Sequence, residues 1–402
     1  MADDDDGNPF GNRPFDGNPF AAMPFLGEIM KSLSSQGPLN WDITRQVALM
    51  SVGSHDVNVD PVARIAFEQL APLAHRQVAD FLSAVPMPAE SPIECASAAQ
   101  WCHWTLDSYR PIFENLATAL AQKPAGNSDE LATEDPMASM MQGLMGAMAP
   151  MMLGMTVGSM IGMLSTRAFG PYDILLPRSS DGHLRLVPSN VDTFAREWDL
   201  PESDIRMWVL IHEITAHAIL SIPHVRSAVL DAVNTYVSAF SPNPDAVLEG
   251  LSDTDVDPSN PMAAIQKTFS DPSVLLGAVI SPEQEAQRPT LDALLAAVVG
   301  VIDWVVDSVN QRVLGGAPAV TEALRRRRVE STTADRFVEH LLGIHHTRKT
   351  VERGRQFITG VIERAGDDAI LEMLRRSDGL PTLAEIDAPG LWLARLEVSG
   401  RP

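Results

Sequence analysis

Apolar residues recur at helical spacing along most of the chain, and this pattern predicts a mainly α-helical protein. Each predicted helix carries an apolar stripe that can pack against other helices, and capping residues stand where several of them begin. The predicted helices cover residues 40–51, 60–84, 92–123, 191–199, 203–221, 225–240, 290–313, 317–328, 334–343, 347–365 and 367–376.

Two short runs of β-forming residues interrupt the helical pattern ahead of the helix at 203–221. They are Tyr172–Pro177 and Leu184–Pro188, and the turn-forming sequence at 179–182 lies between them. Two such runs around a turn predict a small β-hairpin. Residues 123–136 and 241–290 are rich in Pro, Ser, Asp and Asn, which predicts loops.

The first 36 residues differ in character from the rest of the chain. A Pro-Phe pair recurs every five residues, at Pro9-Phe10, Pro14-Phe15, Pro19-Phe20 and Pro24-Phe25. Proline at this density prevents a helix or a central strand. We therefore expect residues 1–36 to form a disordered arm ahead of one helical domain at 37–402, although the regular phenylalanines also suit anchors on the protein's own surface or on a partner.

Residues 137–166 carry no charged side chain and hold ten of the eighteen methionines. Pro150 interrupts this apolar run, and Gly154, Gly158 and Gly162 form a four-residue repeat that lets two helices approach closely. A buried helical hairpin lined by Gly and Met is therefore favoured over a membrane span, and no stable membrane insertion is expected.

Composition and charge narrow the class of protein. The chain has 402 residues, of which 45% are hydrophobic and 20% charged, as in globular domains. Its net charge of −22 disfavours binding to nucleic acid. The acidic start lacks a signal-peptide pattern, and Cys95 and Cys102 are expected to be reduced thiols. We expect a cytoplasmic protein, for which a peptide or protein partner is one hypothesis.

The segment Trp208–Leu220 comes close to the helix of zinc peptidases, where His-Glu-x-x-His supplies two metal ligands and a general base. His212 and Glu213 match, but Ala216 stands at the second histidine position and His217 follows it. Residues four apart on a helix lie roughly 40° apart around its axis, whereas residues five apart lie roughly 140° apart. A π-bulge between them would bring His212 and His217 onto one face.

The helix is apolar almost all round, so it is predicted to be buried, and its polar side chains need partners. A metal ion bound by His212 and His217 is one solution. A plain polar network, in which Glu213 and His217 hydrogen-bond along one face, is the other. Farther along, the run Arg325–Arg328 is predicted to form a solvated or carboxylate-paired helix face rather than a phosphate site.

The sequence resembles a bacterial family of zincin-like proteins described as hydrolases or zinc-dependent metalloproteases, part of which is linked to deazaflavin-cofactor biosynthesis. Gly37–Thr44, Trp208–Arg226 and Ala323–Arg328 carry the resemblance. It implies a zincin-like metallopeptidase fold, mainly α-helical, with a metal site on the helix of His212.

The chain departs from the pattern of that family at two ligand positions. Ala216 replaces the second histidine, and Val299 stands before Gly300 where the resemblance implies a glutamate as third ligand. Asp303 follows four residues later as a substitute ligand, an acid behind the ligands, or a solvated helix edge. Zinc catalysis needs three protein ligands and a water, so these losses predict weak zinc binding.

Three functions follow from the sequence. The favoured one is a degenerate zincin that has lost or weakened zinc hydrolysis and keeps a binding or regulatory role. The second is an active zinc-dependent metallohydrolase, with His212, His217 and Asp303 as tentative ligands and Glu213 as general base. The third is a structural or assembly protein. Zinc is the cofactor that these residues suggest, if there is one.

Deletion of residues 1–27 tests the interpretation of the arm. We expect the melting temperature to change by less than about 2 °C, because Pro-Phe repeats form no cooperative element whose loss destabilises the fold. Calorimetry and size-exclusion chromatography of the truncated and full-length proteins measure this. A truncated protein that melts several degrees lower, or changes its oligomeric state, would show that the phenylalanines are docked.

Overall fold

The computed structural model describes most of the chain beyond the arm, namely residues 38–86, 91–121, 151, 153–178, 182–240, 281–329, 332–344 and 347–399. These ranges are helical apart from two short strands and the connections, so the predicted mainly α-helical fold is confirmed. The arm at 1–36, the predicted loop at 123–136, and most of 137–152 and 241–290 lie outside the described residues.

Helices make up nearly all of the described elements. In chain order they are α1 (Trp41–Val52), α2 (Pro61–Phe81), α3 (Ala98–Ser108), α4 (Arg110–Ala121), α5 (Leu153–Ser165), α6 (Pro188–Glu197), α7 (Glu202–Leu220), α8 (Pro223–Ser238), α9 (Pro282–Leu314), α10 (Pro318–Val329), α11 (Thr333–Leu342), α12 (Arg348–Ala365), α13 (Asp367–Arg375) and α14 (Pro389–Ser399). The strands are β1 (Ile93–Cys95), before α3, and β2 (Leu184–Leu186), before α6.

Helix α9 forms the centre of the fold and packs against α12, α7, α8 and α2. Its middle is buried on nearly every side, as its apolar sequence predicts. Glycines bring α9 and α12 into backbone contact, since a Cβ on Gly354 would lie 2.1 Å from the carbonyl oxygen of Ala296. The core therefore depends on small residues at this crossing as well as on apolar ones.

The length and apolarity of α9 also meet the requirements for a membrane-spanning helix. Among the described helices it is the only one that does so alone, and 67% of its most apolar window is buried inside the protein. Helices α7 and α8 meet them only as a pair, which is bent by 86°. Packing in the core accounts for the apolar length of α9.

Helix α9 begins at Pro282 rather than at residue 290 as predicted. Ser281 and Gln284 form a capping box, in which Gln284 N–H donates to Ser281 Oγ and Ser281 N–H donates to Gln284 Oε1, at 3.2 and 3.1 Å. Apart from the buried Gln284, the first turns are polar and exposed, and they contain Pro289, so no apolar stripe marks them. Helix α14 was likewise not predicted from the pattern.

The predicted small sheet is present, but it is not a hairpin. Strand β2 pairs in parallel with β1, with Ile93 opposite Leu184 and Cys95 opposite Leu186. Residues 172–177 instead contain the end of a 3-10 turn and irregular backbone. Strand β1 lies within the segment 92–123 that was predicted to be helical. A three-residue strand with a distant partner leaves no local periodicity to detect.

Helix α5 packs on α1 along its glycine repeat. A Cβ on Gly158 would lie 2.3 Å from the carbonyl oxygen of Thr44, and one on Gly162 would lie 2.4 Å from that of Ala48. The predicted close helix contact is therefore confirmed, and within the described chain its partner is α1. The other half of the predicted hairpin, at 137–150, lies outside the described residues.

Substitution of Gly158 by alanine should destabilise the fold by about 1–3 kcal/mol, because the new methyl group overlaps backbone that cannot move aside cheaply. The matched control is Gly390→Ala in α14, where the nearest atom to a new Cβ is 3.9 Å away. That change should be neutral or stabilising by up to about 1 kcal/mol, because alanine favours a helix. Urea unfolding measures both, and equal effects would contradict close packing of α5 on α1.

Candidate functional site

Helix α7 carries the predicted site through the core. It packs against α2, α9 and α6, and every residue from Met207 to Leu220 is buried. Exposure is 7% for His212, 1% for Glu213 and 7% for His217. Polar groups this deep in a helical core must find hydrogen-bond partners inside the protein.

The helix is α-helical from Glu202 to Leu220, so the π-bulge proposed between its histidines is absent. His212 lines a cavity of about 100 Å³, whereas His217 lines a separate one of about 30 Å³. Tyr172 and Trp101 border both cavities. The five-residue spacing therefore separates the two histidines, as helix geometry requires.

Tyr172, in the segment after α5, hydrogen-bonds to two polar side chains of α7. The backbone N–H of Tyr172 donates to Glu213 Oε2 at 2.8 Å, and its hydroxyl lies 2.8 Å from His217 Nδ1. Burial raises the pKa of the Tyr172 hydroxyl, so the phenol is neutral. The structure thus contains a polar network, although Glu213 and His217 meet through Tyr172 instead of bonding each other directly.

Glycine at position 170 lets this segment lie against α7. A Cβ there would be 2.6 Å from the carboxyl carbon of Glu213, and the Gly170 carbonyl accepts a hydrogen bond from Trp101 Nε1 at 2.8 Å. Sequence reasoning missed both Gly170 and Tyr172, because the segment was predicted to be a strand. The Gly-Pro pair at 170–171 was the available indication of a turn.

Arg178 hydrogen-bonds to the same segment and holds it in place. Its Nε donates to the Pro171 carbonyl at 2.7 Å, and its Nη2 donates to Thr105 Oγ1 at 3.1 Å. Its guanidinium also lies over the rings of Trp101 and Tyr109, at 5.5 and 5.0 Å from their centroids. The buried arginine therefore fixes the backbone that carries Tyr172.

His212 is held on two sides. Its Nδ1 lies 3.0 Å from Glu213 Oε1, and its ring stacks on that of Trp208, with 5.1 Å between centroids and 10° between planes. A carboxylate beside Nδ1 favours the proton on that nitrogen and leaves Nε2 for other partners. Among the described residues, Glu213 alone is hydrogen-bonded to this ring. The cavity of His212 thus has an oriented imidazole in its wall.

Arginine–aspartate pairs also border this cavity. Arg327 Nη2 donates to Asp173 Oδ1 at 2.8 Å, and its guanidinium lies 3.7 Å from the centroid of the Phe169 ring. Burial alone would raise the pKa of Asp173, but the charge of Arg327 and the hydrogen bonds from Gly170 and Phe169 lower it. A further pair joins Arg167 to Asp335.

The run Arg325–Arg328 in α10 is paired with carboxylates throughout, so the predicted carboxylate pairing is confirmed. Arg325 and Arg326 form exposed pairs with Asp307 and Glu322. Arg327 and Arg328 turn inward and line the cavity of His212. Consecutive residues within about one turn of α10 thus face different environments.

Asp303 is one of the carboxylates that pair with these arginines, and it is not placed beside the histidines. Arg328 Nη1 donates to both of its carboxylate oxygens, at 2.7 and 2.8 Å, and Asp303 lines neither histidine cavity. Across the described ranges, no group of three or more His, Cys, Asp and Glu side chains is placed to hold a metal ion. The arrangement of His212, His217 and Asp303 therefore does not fit a three-ligand zinc site.

The remaining predicted positions do not add a ligand or a nucleophile. Ala216 and Val299 are buried in apolar surroundings. Burial raises the pKa of Cys95 to about 11 and that of Cys102 to about 12, so both are protonated thiols at neutral pH. Neither cysteine forms a disulfide.

The environment of His217 predicts a pH dependence of stability. Burial lowers its pKa below the ordinary value of 6.5, and the nearby His75 and Arg226 add to this. Below pH 6.5 the unfolded chain therefore binds more protons at this residue than the folded protein does, so acidification removes folding free energy. The loss should grow as the pH falls through the folded pKa.

Replacement of His217 by glutamine should reduce this dependence. We expect the melting temperature of the variant to fall less than that of the native protein between about pH 8 and about pH 5, whatever its absolute stability. The control is His55→Gln, at an exposed residue, which should keep the native slope. An unchanged slope in His217→Gln would contradict a neutral, buried His217.

Comparisons with known proteins bear on the family. A model of the zincin-like metallopeptidase family matches residues 39–393. A crystal structure from Chloroflexus aurantiacus, of a "putative hydrolase with a novel fold", has a TM-score of 0.60 at 20% sequence identity. The match covers 89% of this chain and 99% of that one, and identity this low shows similarity of fold alone. No curated protein matches the chain. Because the family model spans most of the sequence, the chain belongs to the zincin-like metallopeptidase family.

Proposed function

We propose that this protein is a degenerate zincin, which has lost or weakened zinc hydrolysis and uses the cavity of His212 to bind a ligand. The observation that carries the proposal is that His212 and His217 line different cavities. Zinc needs its nitrogen ligands about 2.0–2.1 Å from one point, and side chains in different cavities do not meet that condition.

The partners of the two histidines hold each imidazole in its own cavity. His217 Nδ1 is engaged by the Tyr172 hydroxyl, and His212 Nδ1 is engaged by Glu213. Convergence of both imidazoles on one metal would require α7 to change its helical phase between the two histidines. The core packed around α7 opposes such a change, because every residue of this part of the helix is buried.

Both carboxyl oxygens of Glu213 already take part in hydrogen bonds within the protein. In a working zincin the corresponding glutamate takes a proton from the metal-bound water. Here one of its oxygens accepts from Tyr172 N–H and the other lies against His212 Nδ1. The carboxylate therefore orients an imidazole and anchors the 170–172 segment, and this use suits a binding site.

Elemental analysis of protein purified without chelator tests the proposal. We expect well under one zinc per chain, with no decrease in His212→Ala or His217→Ala, because neither residue contributes to a complete ligand set. His224→Ala serves as control, since His224 bonds the Met373 carbonyl and lines neither cavity.

Two results would overturn the proposed loss of zinc hydrolysis. One is stoichiometric zinc that disappears in His212→Ala and His217→Ala but persists in the His224→Ala control. The other is zinc-dependent cleavage of a peptide substrate that Glu213→Gln abolishes. Either result would favour the active metallohydrolase.

A further inference from the structure

The charged side chains around the cavity of His212 already have partners within the protein. Each of the three arginines in the lining forms an ion pair with an aspartate, in the pairs Arg167–Asp335, Arg327–Asp173 and Arg328–Asp303. Both carboxyl oxygens of Glu213 are in hydrogen bonds, and Glu339 is likewise engaged. The described lining thus offers neither a free cation to an anionic ligand nor a free carboxylate to a cationic one.

A charged ligand would have to break one of these pairs or enter the cavity without a counter-charge. Both routes are costly, because each leaves an uncompensated charge in partly buried, apolar surroundings. Aromatic rings could otherwise attract a cation, but one face of Phe169 already carries the Arg327 guanidinium, and one face of Trp208 carries the ring of His212. The cavity therefore disfavours a ligand of either charge.

The apolar part of the lining is buried more deeply than the ion pairs. The side chains of Arg167 and Asp335 are 27% and 21% exposed. By contrast, six apolar residues of the lining are at most 6% exposed, namely Leu164, Phe169, Leu175, Leu324, Val338 and Ile344. The ion pairs thus lie nearer to solvent, and the apolar side chains form the inner wall of the cavity.

We infer that this cavity binds a small, neutral and largely apolar molecule. Such a ligand lies against the inner wall, where removal of apolar surface from water favours binding, and it breaks no ion pair of the protein. The volume of about 100 Å³ limits the ligand to a short branched chain or a single ring, since benzene fits an apolar cavity of about 150 Å³. The inference rests on the proposed ligand-binding function and names the class of its ligand.

Methyl ¹H–¹³C spectra of chelator-treated protein, titrated with isoamyl alcohol, isovalerate and isoamylammonium, test the inference. The three probes share one branched chain and differ in charge. The alcohol should shift the signals of Val338 and Ile344, which line the cavity, and leave that of Ile370, which is buried in α13 outside it. Because neither ion finds a free partner there, each should bind at least about tenfold more weakly than the alcohol.

Substitutions locate the site. Val338→Phe fills the cavity and should weaken binding of isoamyl alcohol about tenfold. Val338→Ala enlarges the cavity and should strengthen binding of the larger benzyl alcohol at least about threefold, and it keeps the test decisive if the first variant does not fold. Val361→Ala is the control and should leave both affinities unchanged, because Val361 is buried in α12 outside the cavity lining.

The outcomes separate this inference from the proposed loss of zinc hydrolysis. An ion that binds as tightly as the alcohol would overturn the neutral ligand, and so would Val338 and Ile344 signals that no probe moves or affinities that neither Val338 variant changes. All three results leave the zinc measurements standing. Isovalerate binding that appears only after zinc is added would overturn the proposed function as well, because the carboxylate would then be a metal ligand.

Discussion

The buried carboxylate of Glu213 is the constraint on which the rest of the site depends. A carboxylate that is 1% exposed is tolerable only with hydrogen bonds to both oxygens, and His212 Nδ1 and Tyr172 N–H supply them. Tyr172 can reach it only because Gly170 has no side chain. The same tyrosine then occupies His217. One buried carboxyl group thus fixes the position of the segment after α5 against α7.

Ion pairs extend this constraint to the helices around the cavity. Asp173, next to Tyr172, is bound by Arg327, and the following arginine, Arg328, binds Asp303 of α9. Helix α10 is therefore tied to both the 170–173 segment and the central helix. Partly buried pairs of this kind contribute little net stability, because desolvation offsets their attraction, and their effect here is to hold positions.

Membership of the zincin-like metallopeptidase family concerns the whole fold, whereas zinc binding depends on a few residue positions. The family model and the similar crystal structure concern a fold that spans nearly the whole chain. Ligand geometry depends on single positions, and here His217 follows Ala216 and Asp303 is bound to Arg328. A fold can persist through such changes because its core is determined by many apolar contacts, whereas a metal site needs each ligand in place.

The sequence by itself determined most of the helices, the burial of α7, the close approach at the glycine repeat and the divergence of His212 and His217 on a regular helix, because periodicity and rise per residue are local properties. It did not reveal the parallel pairing of β1 with β2, nor Tyr172 as the partner of Glu213. It also left open whether Asp303 was a metal ligand, an acid behind the ligands or a solvated helix edge, and did not indicate its pairing with Arg328. Only the tertiary structure decided these points, because each depends on contacts between residues distant in the chain, which local patterns do not record.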